Sequence, residues 1–143
     1  DARRQRQMCI RDRASIFTKI INNEIPSYKI HEDDNCIAFL DINPNTIGHT
    51  LCVLKKEIDY LFDLNSKDYS VLMDFAKKIA WGLKKSVDCK RIGLAVVGLE
   101  VPHVHIHLIP ISSVNDMNFS KSLIMNKEDF EKLSVKIKNN IQL

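Results

Sequence analysis

No run of about 18 consecutive apolar residues occurs in this 143-residue chain, so a membrane-spanning helix is not expected. No apolar h-region opens it, so no secretory signal is expected either. The four cysteines, Cys9, Cys36, Cys52 and Cys89, include no C-x-x-C pair, and zinc-finger spacing is therefore absent. Three of them lie inside apolar runs and read as reduced, buried thiols of a cytoplasmic protein. Internal repeats, low-complexity segments and linkers are also lacking, and the length suits one domain around one hydrophobic core.

A sustained charge of one sign is missing too. The formal net charge is +3, but the surplus sits in residues 1–13, where Arg3, Arg4, Arg6, Arg11 and Arg13 face only Asp1 and Asp12. The rest of the chain is balanced. Residues 1–13 lack apolar periodicity and read as a disordered or non-native leader, with a basic nucleic-acid-binding arm as the alternative. The domain proper is expected over 14–143, with no nucleic-acid or membrane partner.

What is present is a run of short elements. Ile16, Phe17, Ile20 and Ile21 fall at helical spacing before Pro26. Residues 28–32 and 36–40 read as strands joined at the Asp33-Asp34-Asn35 turn. The loop 41–48 (DINPNTIG) leads into a strand over 49–54. Val71, Leu72, Phe75, Ile79 and Leu83 form one stripe of a helix over 66–86, with Asn65 or Ser66 as its cap. Strands follow over 91–97 and 103–109. An irregular stretch over 112–125 precedes a final helix capped by Asn126 and carrying Phe130, Leu133 and Ile137 inward. The expected class is α+β, a single antiparallel sheet of about five strands with helices on one face.

The segment His103-Val104-His105-Ile106-His107-Leu108-Ile109 holds three of the five histidines at alternate positions. Alternate side chains of a strand share a face, so an extended segment sets the three imidazoles in one row and Val104, Ile106 and Leu108 behind it. Neutral imidazole is a nucleophile, and a ring N–H is a donor to anions. A phosphoryl centre calls for both. A surface cluster without chemistry and a three-histidine metal site are the competing readings.

HVHIHLIP, together with the block SIFTKIINNEIPSYKIHEDDNCIAFLDINPNTIGHTLCVLKKE, resembles the histidine triad (HIT) family in its Hint-like branch, over about residues 15–110. The resemblance implies hydrolysis at the α-phosphate of purine nucleoside phosphoramidates or dinucleoside polyphosphates through a nucleotidyl-histidine. It implies His105 as nucleophile, His107 on the phosphate, His103 as support and His49 as part of the same network. Asp41 would take the ribose hydroxyls, Phe39, Ile42, Ile16, Phe17 and Ile20 the base, and Gly98 and Glu100 the approach to the phosphate. It also implies a homodimer with the sheet continued across the interface. No metal or cofactor is expected. Many relatives open the domain with a cysteine pair that contributes to a zinc site, whereas Ser15 and Thr18 stand here; and Gly98-Leu99-Glu100 replaces the usual Gly-Gln-Ser. The second departure motivates an alternative, a nucleotide-binding regulatory module with weak catalysis. A metal-dependent hydrolase is the third.

Overall fold

A computed structural model describes residues 15–141 of the chain. The expectation for residues 1–13 lies outside that range. The order is α1 (Ile16–Ile21), β1 (Lys29–Glu32), β2 (Cys36–Leu40), β3 (Thr50–Leu54), α2 (Ser66–Ser86), β4 (Arg91–Ala95), β5 (His105–Ile111) and α3 (Lys127–Asn139), with 3-10 turns at Leu61–Asp63 and Val114–Met117. The strands form one sheet in the order β1-β2-β3-β5-β4, with every neighbouring pair antiparallel.

Caps set the helix starts. Ser15 accepts the Thr18 N–H at α1, Asn65 the Asp68 N–H at α2, and Asn126 the Asp129 N–H at α3. In each case the side-chain oxygen satisfies a backbone donor that the first helical turn leaves free.

The two faces of the sheet are covered differently. Cys36, Ala38, Leu40, Cys52, Leu54, Ile106 and Leu108 join Leu72, Phe75, Ile79 and Leu83 of α2 and Phe130 and Ile137 of α3 in the main core. The two long helices therefore share one face, as the apolar patterning leads one to expect. The short α1 lies on the opposite face, where Phe17 and Ile20 pack on Ile37, Phe39, Leu51 and Val53. Cover on both sides explains why every residue of β2 and β3 is buried and why these strands read as unbroken apolar runs. The second face continues past α1 to the histidines, of which His49, His103 and His105 are buried and His107 partly so.

β5 is shifted by two residues from expectation, to His105–Ile111, and β4 is shorter by two. β5 begins at His105 rather than His103 because the preceding backbone is otherwise engaged. The His103 N–H closes a turn onto the Val101 carbonyl at 2.8 Å, and the Val104 N–H bonds the Ile58 carbonyl at 2.7 Å. β4 ends at Ala95, paired with His107, instead of running to Val97. Residues 112–125 fold back on the loop after β2, with Leu123 N–H to the Pro44 carbonyl at 2.8 Å and Asn45 Nδ2 to the Asp116 carbonyl at 3.2 Å. No described helix is long and apolar enough to cross a membrane.

Candidate active site

Strand alternation places His105 and His107 of β5 on the face away from α2 and α3, opposite Val53 and Leu51. His49, immediately before β3, and Asp41, immediately after β2, fall on the same face, and the Asp41 N–H bonds the His49 carbonyl at 3.0 Å. Gly48 makes the turn into this position with φ +95°. A Cβ there would meet Val87 Cγ2 at 2.9 Å, so both the backbone and the space require glycine.

The hydrogen bonds assign a proton to each imidazole nitrogen. The Nδ1 of His105 lies 2.7 Å from the His103 carbonyl. A carbonyl only accepts, so Nδ1 carries the hydrogen, and Nε2 of the neutral ring keeps its lone pair. The Nδ1 of His49 accepts the Asn45 N–H at 2.9 Å, which leaves the hydrogen of neutral His49 on Nε2. That Nε2 lies 3.0 Å from Nδ1 of His107, so His49 donates and His107 presents its own Nε2–H outward. The result is a nucleophile-type nitrogen on His105 beside a donor nitrogen on His107, with ring centroids 4.9 Å apart.

Electrostatics favour the same neutral rings. Burial pushes His49 down to about 3, helped by His107, and pushes His107 down to about 4, helped by His105. His105 and His103 are also lowered, first by burial. Asp41 moves the other way: burial raises its carboxyl, the Asn43 N–H opposes this, and Glu100 raises it further.

His103 is the innermost of the three. Its ring is fully buried, with Nε2 2.6 Å from the Leu54 carbonyl and Nδ1 2.7 Å from Ser15 Oγ. His103 lies on the same side of the sheet as His105, since both rings meet Phe17, at 6.0 and 4.8 Å, and of the three it is the most deeply buried. The same geometry argues against three triad ligands around one metal, because both His103 nitrogens are engaged. Among the described residues, the group able to offer three ligand atoms to a metal is Asp41, His49 and His107, whose atoms lie within 4.8 Å of one another.

Aromatic rings wall both ends of the pair. Phe17 meets His105 edge-on at 4.8 Å and Phe39 at 5.6 Å. Phe119 meets His107 at 4.9 Å and His49 at 6.2 Å. Ile20 and Phe39 lie buried beneath Phe17, whereas Ile16 and Ile42 are exposed at the rim. Gly98, at φ +70°, and the exposed Glu100 belong to the loop between β4 and β5. Glu100 lies near enough for its charge to act on both Asp41 and His105.

Sequence reasoning missed Phe119, Asn45 and Glu57. Phe119 sits in a stretch without periodicity, and Asn45 acts through its backbone N–H, which no side-chain pattern can announce. Glu57 bonds Ser15 and Thr18 across 42 and 39 residues.

The HIT domain family model matches residues 22–114. An uncharacterized HIT-like protein of Borreliella burgdorferi is 38% identical over 135 residues, covering 88% of this chain and 97% of its own length. An adenosine 5'-monophosphoramidase of Saccharomyces cerevisiae is 39% identical over 100 residues, covering 69% of this chain and 63% of its own. Among solved structures, a HIT-like protein from Bartonella henselae matches with a TM-score of 0.78 at 33% identity, covering 90% of this chain and 97% of the other.

Proposed function

From the premise that this chain belongs to the HIT domain family, we propose that it is a nucleotide hydrolase acting at the α-phosphate of purine nucleoside phosphoramidates or dinucleoside polyphosphates. The observation that carries this reading is the pair of opposed proton assignments, a free lone pair on His105 Nε2 and an N–H on His107 Nε2. The relative named for adenosine 5'-monophosphoramidase activity supports the substrate class.

In this reading Phe17 and the rim residues Ile16 and Ile42 take the base, over a floor of Phe39 and Ile20, and Asp41 accepts from the ribose hydroxyls. The Gly98–Glu100 loop closes the approach to the phosphate. His105 Nε2 attacks phosphorus while the bond to the leaving amine or phosphate breaks. His107 Nε2–H steadies the non-bridging oxygen that gains charge. Glu100 is assigned to carry the proton to the leaving nitrogen, where the resemblance implies a serine. Water then attacks phosphorus and gives a proton to the Glu100 carboxylate, the P–N bond to His105 breaks, and the nucleoside monophosphate leaves with the ring neutral and Glu100 protonated again. Splitting one displacement into two lowers each barrier. His103 acts behind the pair by fixing the His105 ring. The chemistry assigned here uses no metal or cofactor.

Intact mass spectrometry after rapid alkaline quench from adenosine phosphoramidate tests the proposal. The expected result is one nucleoside monophosphoryl group per chain, mapped to the peptide containing His105 and absent in His105→Ala, whose turnover falls by orders of magnitude. Hydrolysis by His105→Ala near the wild-type rate refutes the assignment. Tight nucleotide binding without any adduct would instead favour a regulatory module, and activity abolished by chelators would favour a metal-dependent enzyme.

The family resemblance also implies a cytoplasmic homodimer. The open edge strand β4, with Arg91 and Leu94 exposed, supports a dimer whose sheets meet there.

A further inference from the structure

We propose that Ser15, Thr18 and Glu57 are positioning residues that clamp His103 by hydrogen bonds alone, fixing its ring and so the tautomer of the nucleophile His105. The proposal rests on the hydrolase reading for its consequence in catalysis, but the clamp itself is a statement about protons that can be read without turnover.

The geometry runs in one direction from the surface to the nucleophile. Glu57 Oε1 accepts the Ser15 N–H at 2.6 Å and the Thr18 hydroxyl at 3.1 Å. The Ser15 hydroxyl oxygen accepts the Thr18 N–H at 3.0 Å and donates its own proton to His103 Nδ1 at 2.7 Å. His103 Nε2 then carries the hydrogen and donates to the Leu54 carbonyl at 2.6 Å. The His103 carbonyl, held in place, accepts Nδ1–H of His105 at 2.7 Å. Glu57 answers to its partners: its carboxyl is lowered, first by the Ser15 N–H and further by the hydroxyls and His103.

Each link removes a freedom that would harm the nucleophile. With both nitrogens paired, the buried His103 ring has no second orientation, because a flip would put ring C–H groups in place of Nδ1 and Nε2 and break the bonds to Ser15 Oγ and the Leu54 carbonyl. A slack His103 backbone would let His105 exchange tautomers and lose the Nε2 lone pair. The clamp also anchors α1, and so Phe17 against His105. It thereby ties the end of β3, the helix that walls the nucleoside side and the start of β5 to one another.

The family resemblance implies a zinc-binding cysteine pair at the positions of Ser15 and Thr18 in many relatives. The donor set here does not suit that ion. Hydroxyls are not among the usual zinc ligands, and the lone pair of His103 Nδ1 already receives the serine proton. Only His103 and Glu57 are of ligand type, and three or four such groups are the rule. Hydrogen bonds occupy the place where a metal would otherwise tie helix to strand.

The test compares wild type with Ser15→Ala, Ser15→Thr and Glu57→Ala. Long-range proton–nitrogen NMR reports the protonated nitrogen of each imidazole, and rapid-quench kinetics with adenosine phosphoramidate report kcat and KM. Wild type is expected to show His103 protonated on Nε2, His105 on Nδ1, and no stoichiometric zinc by elemental analysis. In Ser15→Ala and Glu57→Ala both rings are expected to show mixed tautomers, with kcat lowered about tenfold, as small misplacements of a reacting group cost, and KM changed far less. Ser15→Thr, which keeps the hydroxyl, restores both. Unchanged nitrogen shifts in both alanine variants, or a zinc ion bound by wild type whose removal lowers Tm, overturns the clamp. If wild type shows the expected tautomers yet hydrolyses nothing, the hydrolase reading has failed and the clamp stands.

Discussion

At the scale of single residues, the site is a set of imidazoles kept neutral by burial. His49 is pushed down to about 3 and His107 to about 4, and His103 and His105 are lowered in the same sense. A histidine whose folded pKa lies below its unfolded value binds fewer protons when folded, so stability rises with pH across that interval. This contribution is complete above the ordinary imidazole pKa of about 6.5. It is lost as pH falls from there through the lowered folded values. Thermal unfolding followed against pH is therefore expected to show a flat Tm through neutral pH and a decline beginning in the unfolded imidazole range, weakened in a His49→Asn, His107→Asn double variant. Phe119 belongs to the same account, because its ring covers one side of both histidines. Phe119→Ala is expected to admit water, raise the pKa of His107 and move the acid limb of kcat/KM to higher pH. Histidine titration by NMR reads the shift directly, and an unmoved His107 would leave Phe119 without a role in the electrostatics.

Among the elements, α2 shows how far periodicity reaches. Its range and its buried stripe of Leu72, Phe75, Ile79 and Leu83 follow from 3.6-residue spacing, because nothing nonlocal competes with a 21-residue amphipathic helix. β5 shows where alternation stops being sufficient. The pattern of residues 103–109 is that of one strand, yet the His103 and Val104 amides bond elsewhere, to Val101 and to Ile58 of a distant loop. Alternation describes side chains, and the ladder is decided by the partner backbone. The turn before β3 is an element-scale device too. Gly48 adopts φ +95° against Val87, Leu83 and Pro110. Gly48→Ala is expected to cost about 1–3 kcal/mol in left-handed strain alone, with more from the 2.9 Å contact to Val87. Urea unfolding measures the loss, and the accompanying displacement of His49 should lower kcat.

Over the whole molecule, one sheet divides two kinds of surface. Its α2 and α3 side is a continuous apolar core, and its other side passes from the α1 cluster to the histidines. β4 leaves an unpaired edge, with Leu94 exposed at 46%, and open edges of this kind invite pairing. Light scattering is expected to give twice the 16.5 kDa chain mass, and Leu94→Lys to shift it toward the monomer; a wild-type monomer at all concentrations would remove the dimer from the proposal. The sequence by itself determined the α+β class, the approximate limits of eight elements and the histidine motif on which the proposed chemistry rests. Those follow from spacing and residue type, which are local. Only the tertiary structure decided that α1 lies opposite the long helices, that His103 is sealed against Ser15, and that Asn45, Glu57 and Phe119 join the candidate site. Each of these depends on which distant backbone or side chain satisfies a buried donor or ring, and a linear pattern holds no record of that partner.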